Sequence, residues 1–119
     1  MKPKYWNLPK EIRTILKISD GWLVGSSAKV LIEDPKDKED IPRDYDIIVT
    51  DYNKYQDVIL HLEKNEHEIN SCGGLKFKVV GRKVDIWPDN LENFIKKSTR
   101  LTYCYHFNTQ TIMEKMKND

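Results

Sequence analysis

No run in this 119-residue chain approaches the ~20 apolar residues that a membrane-spanning helix requires, and the opening Met1-Lys2-Pro3-Lys4-Tyr5-Trp6 has no apolar signal core. A spanning helix and a secretory leader are therefore not expected, and a cytoplasmic location without membrane partners is. Cysteine is scarce: Cys72 and Cys104 show neither CxxC spacing nor histidines at zinc-ligand spacing, so two free thiols are expected rather than a disulfide or zinc scaffold. An excess of one charge is also missing. Twenty basic and 19 acidic residues leave a net charge of +1, which excludes a generic nucleic-acid binder held by an overwhelming positive field while leaving room for local basic patches. Internal repeats and low-complexity segments are absent.

What remains is a hydrophobic fraction of 39% and a charged fraction of 33%, enough for one core and too little chain for two, so residues 1–119 read as a single domain. Leu8, Ile12, Ile15 and Leu16 recur at helical spacing, and Pro9 suits a first turn, so 9–19 is expected to be an amphipathic helix ending at Asp20-Gly21. Trp22-Leu23-Val24 is a short buried strand, and Gly25-Ser26-Ser27 turns into a second helix starting near Ala28. Residues 33–42 are nearly all Glu, Asp, Lys and Pro and read as an exposed flap. Asp44 to Val49 is a strand; Thr50-Asp51 caps a helix over about 53–64 on the stripe Tyr55, Val58, Ile59 and Leu62. Polar residues 65–74 form a connector. Leu75–Val80 and Lys83–Trp87 alternate around Gly81-Arg82 as a β-hairpin, and a helix follows on Leu91, Phe94 and Ile95. Thr102 to Ile112 reads as a closing strand, and Met113 to Asp119 as a helical tail. The fold class is α/β or α+β, a two-layer domain with helices packed on a mixed sheet.

Alternation places Asp44 and Asp46 on one face of their strand, with Tyr45, Ile47 and Val49 on the other. Their Cα atoms are then about 6.5–7 Å apart, near enough to share cations, and Mg²⁺, a hard ion that takes oxygen ligands, is the obvious one. The plainer reading is that Asp44 ends the loop and Asp46 is a solvated strand residue. Asp85 bears on the choice. It interrupts the strand pattern Lys83-Val84-Asp85-Ile86-Trp87, where an aspartate is disfavoured unless it faces solvent, a partner or a metal. If that strand lies beside Asp44–Val49, three carboxylates converge as two-metal phosphoryl transfer requires. Gly25 lets a phosphate approach the backbone, and the Ser26 and Ser27 hydroxyls can hold its oxygens, although Gly-Ser is also an ordinary turn. It is neither a P-loop nor a Rossmann fingerprint.

In order and type, Val24-Gly25-Ser26, Asp44-Tyr45-Asp46-Ile47 and Val84-Asp85-Ile86 resemble the DNA polymerase beta-like nucleotidyltransferase superfamily. The nearest flavour is the head domain of tRNA nucleotidyltransferases and poly(A) polymerases: Val24-Gly25-Ser26-Ser27-Ala28-Lys29 is similar to their Gly-Gly-x-Val-Arg segment, with Lys29 at the arginine, and Phe107–Ile112 loosely to a closing Phe-Thr-x-Asn-Ala strand. The gap from Ser26 to Asp44 is longer than in that pattern, no Arg-Arg-Asp precedes Phe107, and no helical RNA-holding domain follows, so the chain resembles a stand-alone minimal head. The resemblance implies a nucleotidyltransferase fold. It implies that Asp44 and Asp46 bind two Mg²⁺ ions (Mn²⁺ being the substitute), and that Asp85 binds the catalytic one and helps activate the acceptor hydroxyl. Gly25 and Ser26 would hold the NTP triphosphate, with Ser27 and Lys29 beside them and Lys78 or Lys83 neutralising phosphate charge.

The expected activity is Mg²⁺-dependent transfer of a nucleoside monophosphate from an NTP to an acceptor hydroxyl. The head-domain flavour favours an RNA or tRNA 3′ end; the near-zero net charge favours a small molecule, a protein, or a partner protein that supplies acceptor specificity. A non-catalytic, antitoxin-like binding protein on the same fold is the competing reading, and a metal-dependent nuclease is a third. His61, His67 and His106 lack ligand spacing and read as surface or core residues. Trp22, Tyr103, Tyr105 and Phe107 read as core, and Trp87 as core or, sharing the face of Asp85, as a residue that could stack on a base.

Overall fold

The computed structural model describes residues 8–32, 44–62, 68–69, 74–79, 81–97 and 102–115. Residues 33–42, expected to form an exposed flap, and Arg43, His67 and Cys72 lie outside them. In chain order the elements are α1 (Lys10–Ser19), β1 (Trp22–Val24), α2 (Ser26–Ile32), β2 (Asp44–Val49), α3 (Tyr52–Leu62), β3 (Glu68–Ile69), β4 (Leu75–Val79), β5 (Arg82–Pro88), α4 (Leu91–Lys97), β6 (Thr102–His106) and β7 (Thr111–Lys115). The strands form one mixed sheet in the order β3-β4-β5-β2-β1-β6-β7. Only β2 and β5 run parallel among its pairs; the other five pairings are antiparallel. None of the described helices is long and apolar enough to cross a membrane.

Each element follows from local chemistry. The side chain of Asp51 accepts the N–H groups of Asn53 (2.9 Å) and Lys54 (3.3 Å), as its place before α3 predicts. Asn90 does the same for α4 through Asn93 N–H at 2.8 Å. α1 has no side-chain cap; it begins behind Pro9, whose carbonyl accepts Arg13 N–H, and ends with Asp20 left-handed at φ 52°. Pro88 is tolerated because it is the last residue of β5, where Asp89 N–H takes over the ladder by donating to Val49 O at 3.2 Å. Gly74 is required: a Cβ there would lie 2.2 Å from Ile86 O and 2.6 Å from the Cβ of Trp87.

The alternation of β2 is realised. Tyr45, Ile47 and Val49 are buried with Leu23, Val84, Ile86, Phe77 and Tyr105 against Ile12, Ile15, Leu16, Ala28, Leu31, Val58 and Leu62 of α1, α2 and α3. Among the described residues eighteen buried side chains make up this core, and burying each large one contributes about 1.5–3 kcal/mol. The opposite face is not bare. Leu91 and Phe94 of α4 pack with Trp22, Trp87 and Met113 over Val24, Ile48 and Cys104, adding a partial third layer to the expected two.

Three expectations need correction. The second helix begins at Ser26 rather than Ala28, because the chain turns within Gly25 alone, at φ 72°. The closing strand over 102–112 is two strands joined by a turn at 107–110, with Gln110 left-handed at φ 55°, so Phe107 starts a turn and the Phe107–Ile112 segment is not one strand. Met113, Glu114 and Lys115 belong to β7, not to a helical tail.

Candidate active site

The parallel pairing of β2 with β5 sets Asp44 opposite Lys83, Asp46 opposite Asp85 and Ile48 opposite Trp87. Paired residues share a face, so Asp44, Asp46 and Asp85 lie on the face that α4 only partly covers. β1 sets Val24 beside Asp46, and β4 sets Lys76 opposite Asp85 and Lys78 opposite Lys83. A band across the sheet therefore reads Lys76, Asp85, Asp46, Val24, and the band one pleat along reads Lys78, Lys83, Asp44. The carboxylates sit at the border between the apolar patch under α4 and a row of lysines. Asp44 is exposed, Asp46 and Asp85 half-buried.

Gly25 closes the site from the other side. A Cβ built on it would lie 3.6 Å from Asp46 Oδ2, so the turn after β1 runs directly against the carboxylate. Its N–H is committed, donating to Tyr103 O at 3.1 Å, and its carbonyl accepts Lys29 N–H at 3.1 Å. Ser26 faces solvent. Ser27 does not: it is 0% exposed and its hydroxyl donates to Val24 O at 3.0 Å, so the expectation that this hydroxyl holds phosphate oxygens is corrected to a bond that fixes the turn. Lys29 is exposed on α2 with its Nζ 5.9 Å from the centre of the Tyr103 ring. Lys78 and Lys83 are exposed on the site face.

Burial, the Asp85 carboxylate and the Asp44 carboxylate push Asp46 up to about 6, in that order of importance. The anion at Asp46 is thus held where its neighbours oppose it. Among the described residues no three His, Cys, Asp or Glu side chains stand at metal-ligating spacing. The donor set nonetheless suits a hard divalent cation in kind: all oxygen, two carboxylates half-buried on adjacent strands, and excess negative charge at Asp46 that a cation would relieve.

The sequence pattern puts Lys76 with Lys78 and Lys83 on the face away from Leu75 and Phe77 but gives it no role, and it does not point to Tyr103 as a site residue. Strand alternation assigns Tyr103 to the core, and its role at Gly25 is made by its carbonyl, which no side-chain pattern reveals. Lys76 becomes notable only once the β4–β5 register is known. Comparisons with protein-family models, curated proteins and solved structures find no match to this chain.

Proposed function

We propose that this chain is an Mg²⁺-dependent nucleotidyltransferase that moves a nucleoside monophosphate from an NTP to an acceptor hydroxyl and releases pyrophosphate. The observation that carries it is the register setting Asp46 beside Asp85, with Gly25 against the Asp46 carboxylate. Asp44, Asp46 and Asp85 would hold the metal, which when bound supplies positive charge against the triphosphate and the carboxylates. The chain's own part is positioning and charge placement. Gly25, lacking a side chain, leaves room for the triphosphate beside Asp46, with Ser26 next to it at the start of α2; Lys29, expected there, stands instead over Tyr103, whose ring packs on the opposite, core face of the sheet. Asp85 accepts the proton of the attacking hydroxyl. Lys78 and Lys83, joined by Lys76, offer positive charge on the same face, which favours a polyanionic acceptor such as an RNA 3′ end.

The test is turnover of each labelled NTP with Mg²⁺ and total RNA, or protein or small-molecule acceptors, by wild type and by Asp44→Ala/Asp46→Ala. Wild type is expected to transfer label and the double variant to lose at least ~10³-fold. Equal inertness across all acceptors overturns the proposal in favour of a binding protein on this fold; RNA cleavage without NTP turns it into a nuclease.

A further inference from the structure

The far end of β1 carries a second polar group that nucleotidyl transfer does not use. His106, the last residue of β6, is 7% exposed, and its ring lies against Trp22 with centroids 4.8 Å apart, so its orientation is fixed. Its Nε2 stands 2.8 Å from Asp20 Oδ1 and 3.1 Å from the Asp20 carbonyl oxygen. A carboxylate and a carbonyl only accept, so Nε2 carries the hydrogen. In the neutral ring Nδ1 is then a bare lone pair, and the atom facing it, at 2.5 Å, is Thr109 Oγ1. Thr109 therefore donates its hydroxyl hydrogen to His106. The 2.6 Å contact between Thr109 Oγ1 and Thr111 Oγ1 must in turn be donated by Thr111.

Asp20 is itself held. Asn108 Nδ2 donates to its Oδ1 at 2.9 Å, and Lys54 Nζ stands 3.5 Å from its Oδ2. Its left-handed backbone, φ 52°, turns both carbonyl and carboxylate toward the one imidazole nitrogen. Thr109, by contrast, is exposed in the turn between β6 and β7. A hydroxyl within reach of a base, and a base oriented by a third group, is the arrangement that activates a nucleophile.

We propose that Thr109 is a base-activated nucleophile that accepts an acyl group from an activated ester, with His106 as general base and Asp20 as its positioning residue. Lys54, the cation of this group, is engaged by Asp20 at the opposite nitrogen of the imidazole. An ester carbonyl is the electrophile this arrangement fits, since acyl transfer needs from the protein a hydroxyl, a base to take its proton and a group that orients the base. Thr109 Oγ1 bonds to the ester carbonyl carbon, and its proton passes to His106 Nδ1. The bond from that carbon to the leaving oxygen breaks, the oxygen keeps the electron pair, and acyl-threonine remains; nothing is oxidised or reduced.

The full chain is incubated with p-nitrophenyl acetate, reading p-nitrophenolate release and mapping acetyl groups by peptide mass spectrometry. Acetyl is expected on Thr109, with Thr109→Ser retaining the reaction and Thr109→Val slowing it by about 100-fold. Asp20→Asn is expected to slow it roughly 10-fold. Because Thr109 is exposed, its two variants fold as the wild type does, and they decide the matter even if His106→Gln does not fold. Acetylation spread evenly over exposed hydroxyls, or release by Thr109→Val at the wild-type rate, overturns the proposal.

Discussion

Asp46 and Asp20 stand at opposite ends of β1 and are treated in opposite ways. Asp46 is pushed up to about 6 by burial and by two neighbouring carboxylates, with no cation among the causes. At Asp20 burial acts in the same upward direction, yet the hydrogen bonds from Asn108 and His106 and the charge of Lys54 outweigh it and hold the carboxyl below its ordinary 3.8. No cation lowers Asp46; Asp20 is held down by residues of this chain. On the proposed function, the Asp46 end is where an external cation would take the part that Asn108, His106 and Lys54 play at Asp20.

The comparison breaks most visibly at Gly25. Its φ of 72° strains any side chain, and a Cβ would meet the Asp46 carboxylate at 3.6 Å. Gly25→Ala is expected to cost about 1–2 kcal/mol in denaturant unfolding and to cut NTP turnover at least ~10-fold, beyond what the stability loss accounts for. Turnover unchanged in a folded variant would separate the turn from the site.

Asp46→Asn sharpens the comparison next. A carboxyl whose folded pKa lies above 3.8 adds stability that is complete below that value and is lost as pH rises through about 6. The asparagine, neutral throughout, is therefore expected to stabilise the metal-free protein by about 1–2 kcal/mol at pH 7.5 once partial solvation is discounted, and by nothing near pH 3.5. Melting temperatures at the two pH values check this. Mg²⁺ should raise the wild-type melting temperature more at pH 7.5 than at pH 5, and should do less for the variant.

Asp20→Asn has the smallest expected effect and the opposite sign. A lowered folded pKa contributes stability above the ordinary value, lost as pH falls through the lowered one. The variant is expected to be less stable by about 1 kcal/mol at pH 7, since the group is partly solvated, with the difference closing at strongly acid pH. Parallel melting curves for both aspartate variants across pH would show whether the slopes differ in sign.

Much of this was legible in the sequence because it depends on period and punctuation. The alternation of Asp44–Val49 fixed which residues face the core, Asp51 announced α3, and an aspartate between Val84 and Ile86 advertised a strand with a reason to carry charge. What was not legible depends on contacts between distant segments. Ser27 and Ser26 are alike in sequence and part only when the turn places one under Val24. The turn at 107–110 has no glycine to betray it, since Gln110 takes the left-handed conformation that glycine favours. His106 has no ligand spacing; its partner Asp20 lies near the start of the chain, and only the pairing of β6 with β1 brings them together.

The parallel pairing of β2 with β5 also sets an order of events. Parallel neighbours cannot be joined by a tight turn, and here the connection from β2 to β5 runs through α3, β3 and β4 before it returns. The local β4–β5 hairpin can form early, whereas the contact that sets Asp85 beside Asp46 closes a long loop and belongs to the slow part of folding. On the proposed function, metal-dependent activity would be a late-arriving signal in refolding: a species with its helices and hairpin in place, but β5 undocked, would look folded by circular dichroism and remain inert.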